Sequence, residues 1–233
     1  MEILSEIPNR ALAIYAHPDD ADVSCGGTLA LWSAGGCEIH LVVCAGGDKG
    51  SSDPLLDADT LMGVREREVE TAQKHLGIKS VDFLRIPDGE VVNDIALRRK
   101  LVNIIRGFLP EVVISPDPTA IFFGEHYYNH RDHRETGWAA LDAVSPAAFS
   151  PLYFKEEGSP HKVSYMLLSG TLAPSVFVDI ARSIDRKERA ISSHVSQLGD
   201  STEWLRSIVR ERAKEAFVQT GIEFSEGFRR MVF

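Results

Sequence analysis

The stretch Ala11-Leu12-Ala13-Ile14-Tyr15-Ala16 is followed directly by His17-Pro18-Asp19-Asp20 and, six residues later, by Gly26-Gly27. A short apolar run of this kind is typical of a buried strand. The sequence therefore places an imidazole and two carboxylates where that strand ends. Charged groups at such a place are costly to desolvate unless they are paired or hold a cation. Their clustering indicates a bound metal ion.

Outward from this stretch, short β-rich apolar runs alternate with segments of helical period. The alternating segments are Ala11–Ala16, Thr28–Ala34, Glu38–Cys44, Leu61–Leu76, Val81–Ile86, Ile95–Leu109 and Glu111–Ser115. Such alternation favours a parallel sheet covered by helices on both faces. We predict an α/β protein with a Rossmann-like three-layer α/β/α fold, a mostly parallel sheet, and an active site at the C-terminal edge of the strands.

The second half of the chain is less regular. Pro116–Tyr128 is too irregular for an element and predicts a long loop. The expected elements after it are a helix at 134–144, an irregular segment at about 145–162, strands at 163–168 and 176–180, and two closing helices, Arg182–Gln197 and Thr202–Phe217. We expect residues 1–233 to form one domain.

Composition limits the possible partners and the compartment. The net charge of −9 argues against nucleic acid as a partner, because it repels polyanions. The three cysteines have no C-x-x-C spacing, which argues against a disulfide framework and favours a reducing compartment. Nowhere do 18 apolar residues run together, so no membrane span is predicted. We expect a soluble cytoplasmic protein, and a homo-oligomer is compatible with the sequence.

Polar residues follow four of the predicted strands, at the sheet edge where ligands bind in this kind of fold. They are His17–Asp20, Gly46–Asp48, Pro87–Gly89 and Asn129–His133. Together they supply histidine nitrogens and carboxylate oxygens, a mixed ligand set that suits Zn²⁺, although iron(II) or cobalt(II) would accept the same ligands. Two histidines and one aspartate would leave a coordination position for water, and a carboxylate that does not bind the metal can take the water's proton.

These residues resemble the LmbE-like or PIG-L-like zinc N-deacetylases. The two motifs that carry the resemblance are Ala16-His17-Pro18-Asp19-Asp20 and His130-Arg131-Asp132-His133. Weaker likeness extends over roughly residues 10–200, through Gly26-Gly27-Thr28, Arg65-x-x-Glu68-x-x-x-Ala72, Pro87-Asp88-Gly89 and His194-x-Ser196-Gln197. The chain departs from the family at Ala21, where members often have an acidic residue, and around Ala45, where a threonine is common.

The resemblance implies a set of roles, one for each matching position. His17, Asp20 and His133 would bind zinc, Asp19 would be the general base, His130 would stabilise the oxyanion, and Asp132 would orient a neighbouring histidine. The positions expected to contact substrate are Asp48, Arg65, Asp88 and His194. The implied reaction is removal of an N-acetyl or N-acyl group, by metal-activated water, from a small molecule that contains N-acetylglucosamine or a related amino sugar.

Plainer interpretations stay open at this point. His17-Pro18-Asp19 is also compatible with a simple turn before a helix, and His130–His133 with a solvated helix start. Two other functions compete with the N-deacetylase: a non-catalytic sugar-binding protein of the same fold, and a metallohydrolase of different bond preference, such as an esterase or phosphoesterase. Asp19 argues against the binding protein, because a pure binding site does not require a base.

Overall fold

The central sheet contains eight strands in the order β1-β9-β10-β8-β5-β2-β3-β4, and only β10 runs antiparallel to its neighbours. The computed structural model describes residues 2–51, 53, 55–198 and 202–233, with 202–206 described by their backbone only. The strands are β1 (Glu2–Ile3), β2 (Arg10–Tyr15), β3 (Glu38–Ala45), β4 (Ser80–Ile86), β5 (Val112–Pro116), β6 (Phe122–Phe123), β7 (Tyr127–Tyr128), β8 (Tyr165–Ser169), β9 (Val176–Asp179) and β10 (Ser225–Val232).

Helices cover both faces of this sheet. They are α1 (Asp20–Ala34), α2 (Ala58–Leu76), α3 (Ile95–Phe108), α4 (Arg131–Asp142), α5 (Ile184–Ile191), α6 (Val195–Leu198), α7 (Thr202–Lys214) and α8 (Phe217–Thr220), with a π-helical turn at Ala143–Ala148. In the part of the chain that the structure describes, no helix is both long and apolar enough to cross a bilayer. The predicted three-layer α/β fold with a mostly parallel sheet is confirmed.

Two hydrophobic cores lie on opposite faces of the sheet, and β2 contributes to both. Ala11, Ala13 and Tyr15 pack into the core formed with α1, α2 and α5. Leu12 and Ile14 pack into the core formed with α3 and α4. Because successive side chains of a strand point to opposite faces, a strand covered on both sides reads as a continuous apolar run.

The local sequence of α3 explains where this helix begins, which of its faces is buried and where it ends. The Asp94 carboxylate accepts the Leu97 backbone N–H at 2.8 Å, which satisfies one of the free donors at the helix start. Leu97, Leu101 and Ile105 lie on the buried face. The helix ends at Leu109, which has a φ of 57° and precedes Pro110.

The strand order places a topological switch point between β2 and β5. From β2 the chain adds β3 and β4 on one side, and then crosses back through α3 to add β5 on the other side of β2. Loops that leave the carboxyl ends of β2 and β5 therefore diverge and leave a crevice between them. This crevice contains the histidine and aspartate residues described below.

The structure corrects three of the predicted elements. The loop at 116–128 contains the short hairpin β6–β7, whose two-residue strands are too short to show a period. The helix expected over Arg182–Gln197 is interrupted between Ile191 and Val195, and the next one ends at Lys214 instead of Phe217. The chain closes with β10, which the sequence analysis missed because its charged residues hide the alternation of a buried strand.

Residues 149–164, all of which the structure describes, contain no strand or helix and are held mainly from α3, where Arg99 and Asn103 contact Glu157 and Arg106 makes the most bonds. The guanidinium of Arg106, which is only 5% exposed, donates to six backbone carbonyls. The acceptors are those of Ala147, Ala148, Ser150, Tyr153, Phe154 and Gly158, at 2.8–3.3 Å. A buried charge thus replaces the hydrogen bonds that secondary structure would otherwise supply.

Candidate active site

The crevice between β2 and β5 brings together two loops that are more than 100 residues apart in sequence. His17 is the second residue after the end of β2, and Asp20 is the first residue of α1. His133 lies in the first turn of α4, after the long loop that leaves β5. The position of the cluster at the C-terminal edge of the sheet agrees with the predicted location of the active site.

Three side chains, which we call the metal triangle, bring four possible ligand atoms together in this crevice. His17 Nδ1 lies 3.1 Å from His133 Nε2, and His133 Nε2 lies 3.1 Å from one Asp20 carboxylate oxygen. The other Asp20 oxygen lies 3.4 Å from His17 Nδ1. Ligands of a tetrahedral zinc ion at about 2.0–2.1 Å are about 3.3–3.4 Å apart, so the three side chains are close enough together to share such an ion.

In each histidine, one ring nitrogen belongs to the triangle, and the other, which we call the outer nitrogen, is held by hydrogen-bond partners outside it. His133 Nδ1 lies 2.9 Å from the Asn129 side-chain oxygen, and the Asn129 amide in turn donates to the Ala120 carbonyl at 2.8 Å. His17 Nε2 lies 3.1 Å from Asp88 and 3.5 Å from Asp132. When both rings are neutral, the outer nitrogens act as donors, and lone pairs remain on His17 Nδ1 and His133 Nε2. Two ring nitrogens that face each other beside a carboxylate need a proton or a metal ion between them.

A second group of possible ligands uses the opposite side of His17. Ligand atoms of His17, Asp88, His130 and Asp132 all lie within 4.8 Å of one another. Two of these side chains are already hydrogen-bonded to backbone, since Asp132 accepts the Gly89 N–H at 2.7 Å and His130 Nδ1 accepts the Asp132 N–H at 3.2 Å. Asp20 also accepts a backbone N–H, that of His17 at 2.7 Å, so the spacing decides between the two groups. Because the side chains of His17, Asp20 and His133 approach one another to 3.1–3.4 Å, we favour these three as the candidate metal ligands.

Electrostatics support a site for positive charge. Burial lowers the pKa of His17, but the charge of Asp20 and hydrogen bonds to the surrounding carboxylates outweigh it and raise that pKa to about 12. Burial raises the pKa of Asp20, but His133 and His17 outweigh it and hold that pKa well below its usual value. Protons and metal ions compete for the same lone pairs, so a site that holds protons this strongly also attracts a cation.

Asp19 lies beside the triangle but outside it. It occupies the N-cap position of α1, yet its side chain makes no capping hydrogen bond. Burial and the neighbouring charge of Asp20 raise the pKa of Asp19. A carboxylate in this environment is a better proton acceptor than an exposed one, as a general base requires.

His130 is the third imidazole of the cluster, with its ring centre 4.8 Å from that of His17. Burial and the nearby charge of His17 lower its pKa, which favours the neutral ring. Because its Nδ1 accepts the Asp132 N–H, the neutral ring carries its proton on Nε2. His130 is therefore a hydrogen-bond donor at the edge of the site.

Of the residues predicted to contact substrate, Asp88 and Asp48 lie in the loops that surround the cluster. Asp48 accepts the Asp88 N–H at 2.8 Å, and the Asp88 side chain faces His17. Lys49 donates to the Asp88 carbonyl at 2.8 Å, and Arg131 donates to the Gly89 carbonyl at 3.0 Å. The loop that carries Asp88 is thus held in place by charged side chains.

Arg65 lies beneath the loop that follows β3 and is only 5% exposed. Its guanidinium donates to the Gly50 carbonyl at 3.0 Å. A Cβ atom added at Gly47 or Gly50 would lie 2.3 or 2.4 Å from this guanidinium, so the glycines allow the loop to lie on it. Arg65 is placed to support Asp48 rather than to reach solvent.

His194 lies behind α1 and is fully buried, at 0% exposure. Its Nε2 lies 2.5 Å from the Asp22 carboxylate, and its Nδ1 has no hydrogen-bond partner among the described residues. The charge of His194 lowers the pKa of Asp19, against the stronger effects of burial and Asp20. Asp22 lies in the first turn of α1, three residues after the N-cap residue Asp19, so the buried pair of Asp22 and His194 is located at the start of the same helix.

Sequence reasoning missed two of these side chains. Asn129 was part of the Asn129–His133 motif but received no role, and its position four residues before a ligand histidine is the only signal for its hydrogen bond. Asp22 received no role, and its partner His194 lies 172 residues later in sequence.

The fold and this cluster define an α/β protein with a group of His and Asp side chains at its switch point that could hold a metal ion. Residues 12–144 match the family model described as PIG-L, GlcNAc-PI de-N-acetylase. Because this match covers more than half of the chain, the protein belongs to that family. The resemblance stated from its two motifs is confirmed.

Individual relatives extend the likeness beyond the family model. Diacetylchitobiose deacetylase from Thermococcus kodakarensis is 28% identical over 229 residues, which covers 94% of this chain and 82% of the relative. The 1D-myo-inositol 2-acetamido-2-deoxy-alpha-D-glucopyranoside deacetylase of Streptomyces scabiei is 29% identical over 188 residues, but this chain spans only 56% of its length.

A solved structure shows that the likeness includes the fold. The N,N'-diacetylchitobiose deacetylase from Pyrococcus horikoshii, solved with its inhibitor MPG, superimposes with a TM-score of 0.88 at 29% identity. The match covers 97% of this chain and 84% of that one. These proteins are named as enzymes that remove acetyl groups, which agrees with the predicted class of reaction.

Proposed function

We propose that this protein is a metal-dependent N-deacetylase that hydrolyses the acetamide of a small molecule containing N-acetylglucosamine or a related N-acylated amino sugar. The observation that carries the proposal is the triangle of His17 Nδ1, His133 Nε2 and the Asp20 carboxylate, with sides of 3.1–3.4 Å. Membership of the de-N-acetylase family supports the type of bond.

The proposed metal ligands are His17, Asp20 and His133. Two nitrogens and one carboxylate oxygen suit Zn²⁺, and iron(II) or cobalt(II) would fit the same donors. When bound, a divalent cation polarises the acetamide carbonyl and lowers the pKa of water. Asn129, Asp88 and Asp132 hold the two histidine rings in the orientation and tautomer that this set requires.

Asp19 is the proposed general base. It accepts a proton from the attacking water and then delivers it to the amine that leaves, so that one carboxylate serves both halves of the reaction. Its raised pKa, caused by burial and by Asp20, makes it a stronger base than an exposed aspartate and a usable acid in the second step.

His130 and Asp132 complete the proposed catalytic set. His130 Nε2–H donates to the oxygen on which negative charge develops as the acetamide carbon becomes tetrahedral. Asp132 holds His17 through its carboxylate and His130 through its backbone N–H, and so couples the two rings. Its carboxylate is anchored in turn by the Gly89 N–H.

Four further residues are proposed to act on the substrate side of the site. We propose that Asp48 and Asp88 contact sugar hydroxyls. Arg65 and His194 are too buried for direct contact, and we propose that they act through others: Arg65 supports the loop of Asp48, and His194 supports Asp19 from behind.

The domain organisation, the cellular location and the partners of the protein are also proposals. We propose that residues 1–233 act as one domain, since the sheet draws strands from both ends of the chain. The proposed setting is the cytoplasm. The proposed partner is the small-molecule substrate, with no nucleic acid or membrane, and the proposal is compatible with a homo-oligomer.

The experiment combines elemental analysis of the purified protein with amine release from N-acetylglucosamine conjugates, with and without a chelator. We expect about one equivalent of metal, amine release that the chelator abolishes, and recovery when Zn²⁺ is restored. Full activity in metal-free protein would contradict the proposal. The same assay with O-acetyl and phosphoryl sugars tests the alternatives, because preferential ester cleavage would overturn the amide assignment and no turnover would favour a binding protein.

A further inference from the structure

Helix α1 is broken at Cys25, and the shorter of its two segments carries acidic residues of the candidate site. Cys25 has a φ of −141° and a ψ of 16°, which are not helical values, so residues 20–24 and 26–34 form separate segments. The proposed ligand Asp20 begins the first segment, and the proposed base Asp19 is its N-cap residue. A segment of little more than one turn does not fix its own direction. The position of both carboxylates therefore depends on how the break is held.

Glu226 of β10 caps the second segment from the far end of the chain. Its carboxylate accepts the backbone N–H groups of Gly27 and Thr28 at 2.9 and 2.7 Å, and the Thr28 hydroxyl at 2.6 Å. A segment that begins at a break has N–H groups that need an acceptor, and a carboxylate there also interacts favourably with the helix dipole. A side chain 198 residues away from Thr28 thus takes the role that a neighbouring residue usually has.

The register of β10 explains why Glu226 reaches the helix. Glu226 pairs with Val178 of β9, and Phe228, two residues further on, lies in the core formed with α1. Because side chains two residues apart in a strand point to the same face, Glu226 also points towards α1. It is only 5% exposed, and a buried carboxylate is costly unless its oxygens are satisfied. The bonds to the second segment of α1 supply that compensation.

Lys187 of α5 balances the charge of Glu226. Its Nζ lies 2.5 Å from the Glu226 carboxylate, and Lys187 is likewise only 5% exposed. The pair adds no net charge near Asp19 and Asp20. We therefore expect Glu226 to affect the site through the geometry of α1 rather than through its charge.

Other contacts hold the same break in place. The Tyr15 hydroxyl donates to Cys25 Sγ at 3.2 Å, and the Ser183 hydroxyl donates to the Gly27 carbonyl at 2.7 Å. Gly27 lies so close to α5 and its preceding turn that an added Cβ atom would lie 2.7 Å from Ile180 Cδ1. The start of the second segment is thus fixed on several sides, as expected for a built feature of the fold rather than a frayed helix.

We propose that Glu226 is a positioning residue for the metal site. By capping the second segment of α1 it maintains the break at Cys25, and the break sets the direction in which the first segment presents Asp19 and Asp20. Without the cap, the chain can continue a regular helix through Cys25, which would turn the Asp20 carboxylate away from the two ligand histidines. The inference rests on the proposed function, because Glu226 acts through the proposed base and one proposed ligand.

The test compares two double variants that both lack the buried ion pair. The methionine variant, Lys187→Met with Glu226→Met, has no acceptor for the N–H groups of Gly27 and Thr28. The glutamine variant, Lys187→Met with Glu226→Gln, keeps one acceptor oxygen in nearly the same place and is the matched control. Neither variant leaves an unpaired buried charge, which would by itself destabilise the fold.

Three measurements on each variant separate geometry from general stability. They are amide hydrogen exchange of α1 in metal-free protein, Zn²⁺ affinity by competition with a chromogenic chelator, and amine release from N-acetylglucosamine conjugates at saturating Zn²⁺. In the methionine variant we expect faster exchange in α1, Zn²⁺ affinity about 10- to 100-fold lower, and kcat about tenfold lower at unchanged KM. The glutamine variant should stay within about threefold of wild type in affinity and kcat, because the cap remains.

The possible outcomes separate this inference from the proposed function. A folded methionine variant with wild-type exchange and Zn²⁺ affinity would overturn it, as would equal losses in both variants, which would trace to the ion pair. If the methionine variant does not fold, Thr28→Val, which removes one of the three bonds to Glu226, should weaken Zn²⁺ binding about threefold, and unchanged affinity counts against the inference. Wild-type protein that binds no metal and releases no amine would contradict the proposed function instead, while hydrogen exchange still tests the cap.

Discussion

The site at the sheet edge and the irregular segment at 149–164 both contain buried charge, but they stabilise it in different ways. Around Arg106 one guanidinium is satisfied by six carbonyls of the protein itself. In the crevice, the lone pairs of His17 and His133 face each other at 3.1 Å beside the Asp20 carboxylate. The first arrangement is complete without a ligand, whereas the second gains stability from a cation. The comparison separates a structural charge from a functional one.

The largest effect is expected at Asp19, which is not one of the three proposed metal ligands. Asp19→Asn removes the proposed base but leaves the three ligands, so kcat should fall about 10²- to 10⁴-fold while the metal content stays at the wild-type level. Amine release and elemental analysis on the same sample measure both quantities. Asp59→Asn, an exposed aspartate in the first turn of α2, is the control and should change neither. Wild-type turnover by Asp19→Asn would remove the base from the mechanism.

Replacing the buried guanidinium of Arg106 should lower the stability of the fold and leave the reaction unaffected. Arg106→Met removes the buried donor to six carbonyls, of which only those of Ala148 and Phe154 also accept a bond from the backbone of this segment, and should lower the free energy of unfolding by about 3 kcal/mol. Denaturant titration measures this change. Arg99→Met is the matched control, because Arg99 lies on the same helix and contacts Glu157 at 3.2 Å in a half-exposed pair, and it should cost less than about 1 kcal/mol. Equal losses in the two variants would contradict the account of this segment.

The orientation of the ligand histidines can be tested through Asn129. Asn129→Leu removes the acceptor that holds the His133 Nδ1 proton, so metal affinity should fall about 10- to 100-fold. Competition with a chromogenic chelator measures the affinity. Asn103→Leu, which breaks an exposed contact to Glu157, is the same substitution away from the site and should leave affinity unchanged. Wild-type affinity in Asn129→Leu would show that the orientation of His133 has another cause.

The smallest effect is expected at His194, which we propose supports the base Asp19 without contacting the substrate. His194→Gln removes the imidazole that pairs with Asp22 and should lower kcat about tenfold by displacing Asp19, with KM and metal content unchanged. Steady-state kinetics separate the two constants. His161→Gln is the control, since His161 contacts the Pro110 carbonyl away from the crevice. A change confined to KM would instead support direct contact between His194 and substrate.

Sequence alone predicted the parts of the fold that are buried on both faces. β2, β3 and β5 lie within one residue of their predicted bounds, because strands covered by two helix layers read as continuous apolar runs. β10 was missed because Glu226 is charged in sequence but buried in the structure, where Lys187 compensates it. The break between α5 and α6 was missed because the helical spacing of apolar residues continues across it and does not show where one helix ends.

The candidate site was likewise predictable from the sequence only in part. The motifs placed His17, Asp20 and His133 at one sheet edge, because strand ends converge there in a parallel sheet. The depth of Arg65 and His194, and the hydrogen bond of Asn129, depend on tertiary contacts that no local pattern encodes.

The most direct test of the metal triangle is anomalous diffraction at the zinc edge from crystals of the zinc-loaded protein. We predict one peak, about 2.0–2.2 Å from each of His17 Nδ1, His133 Nε2 and an Asp20 oxygen. A peak on the opposite side of His17, among Nε2, Asp88 and Asp132, would contradict the assignment of the ligands. The absence of any peak in the crevice would contradict the metal site itself.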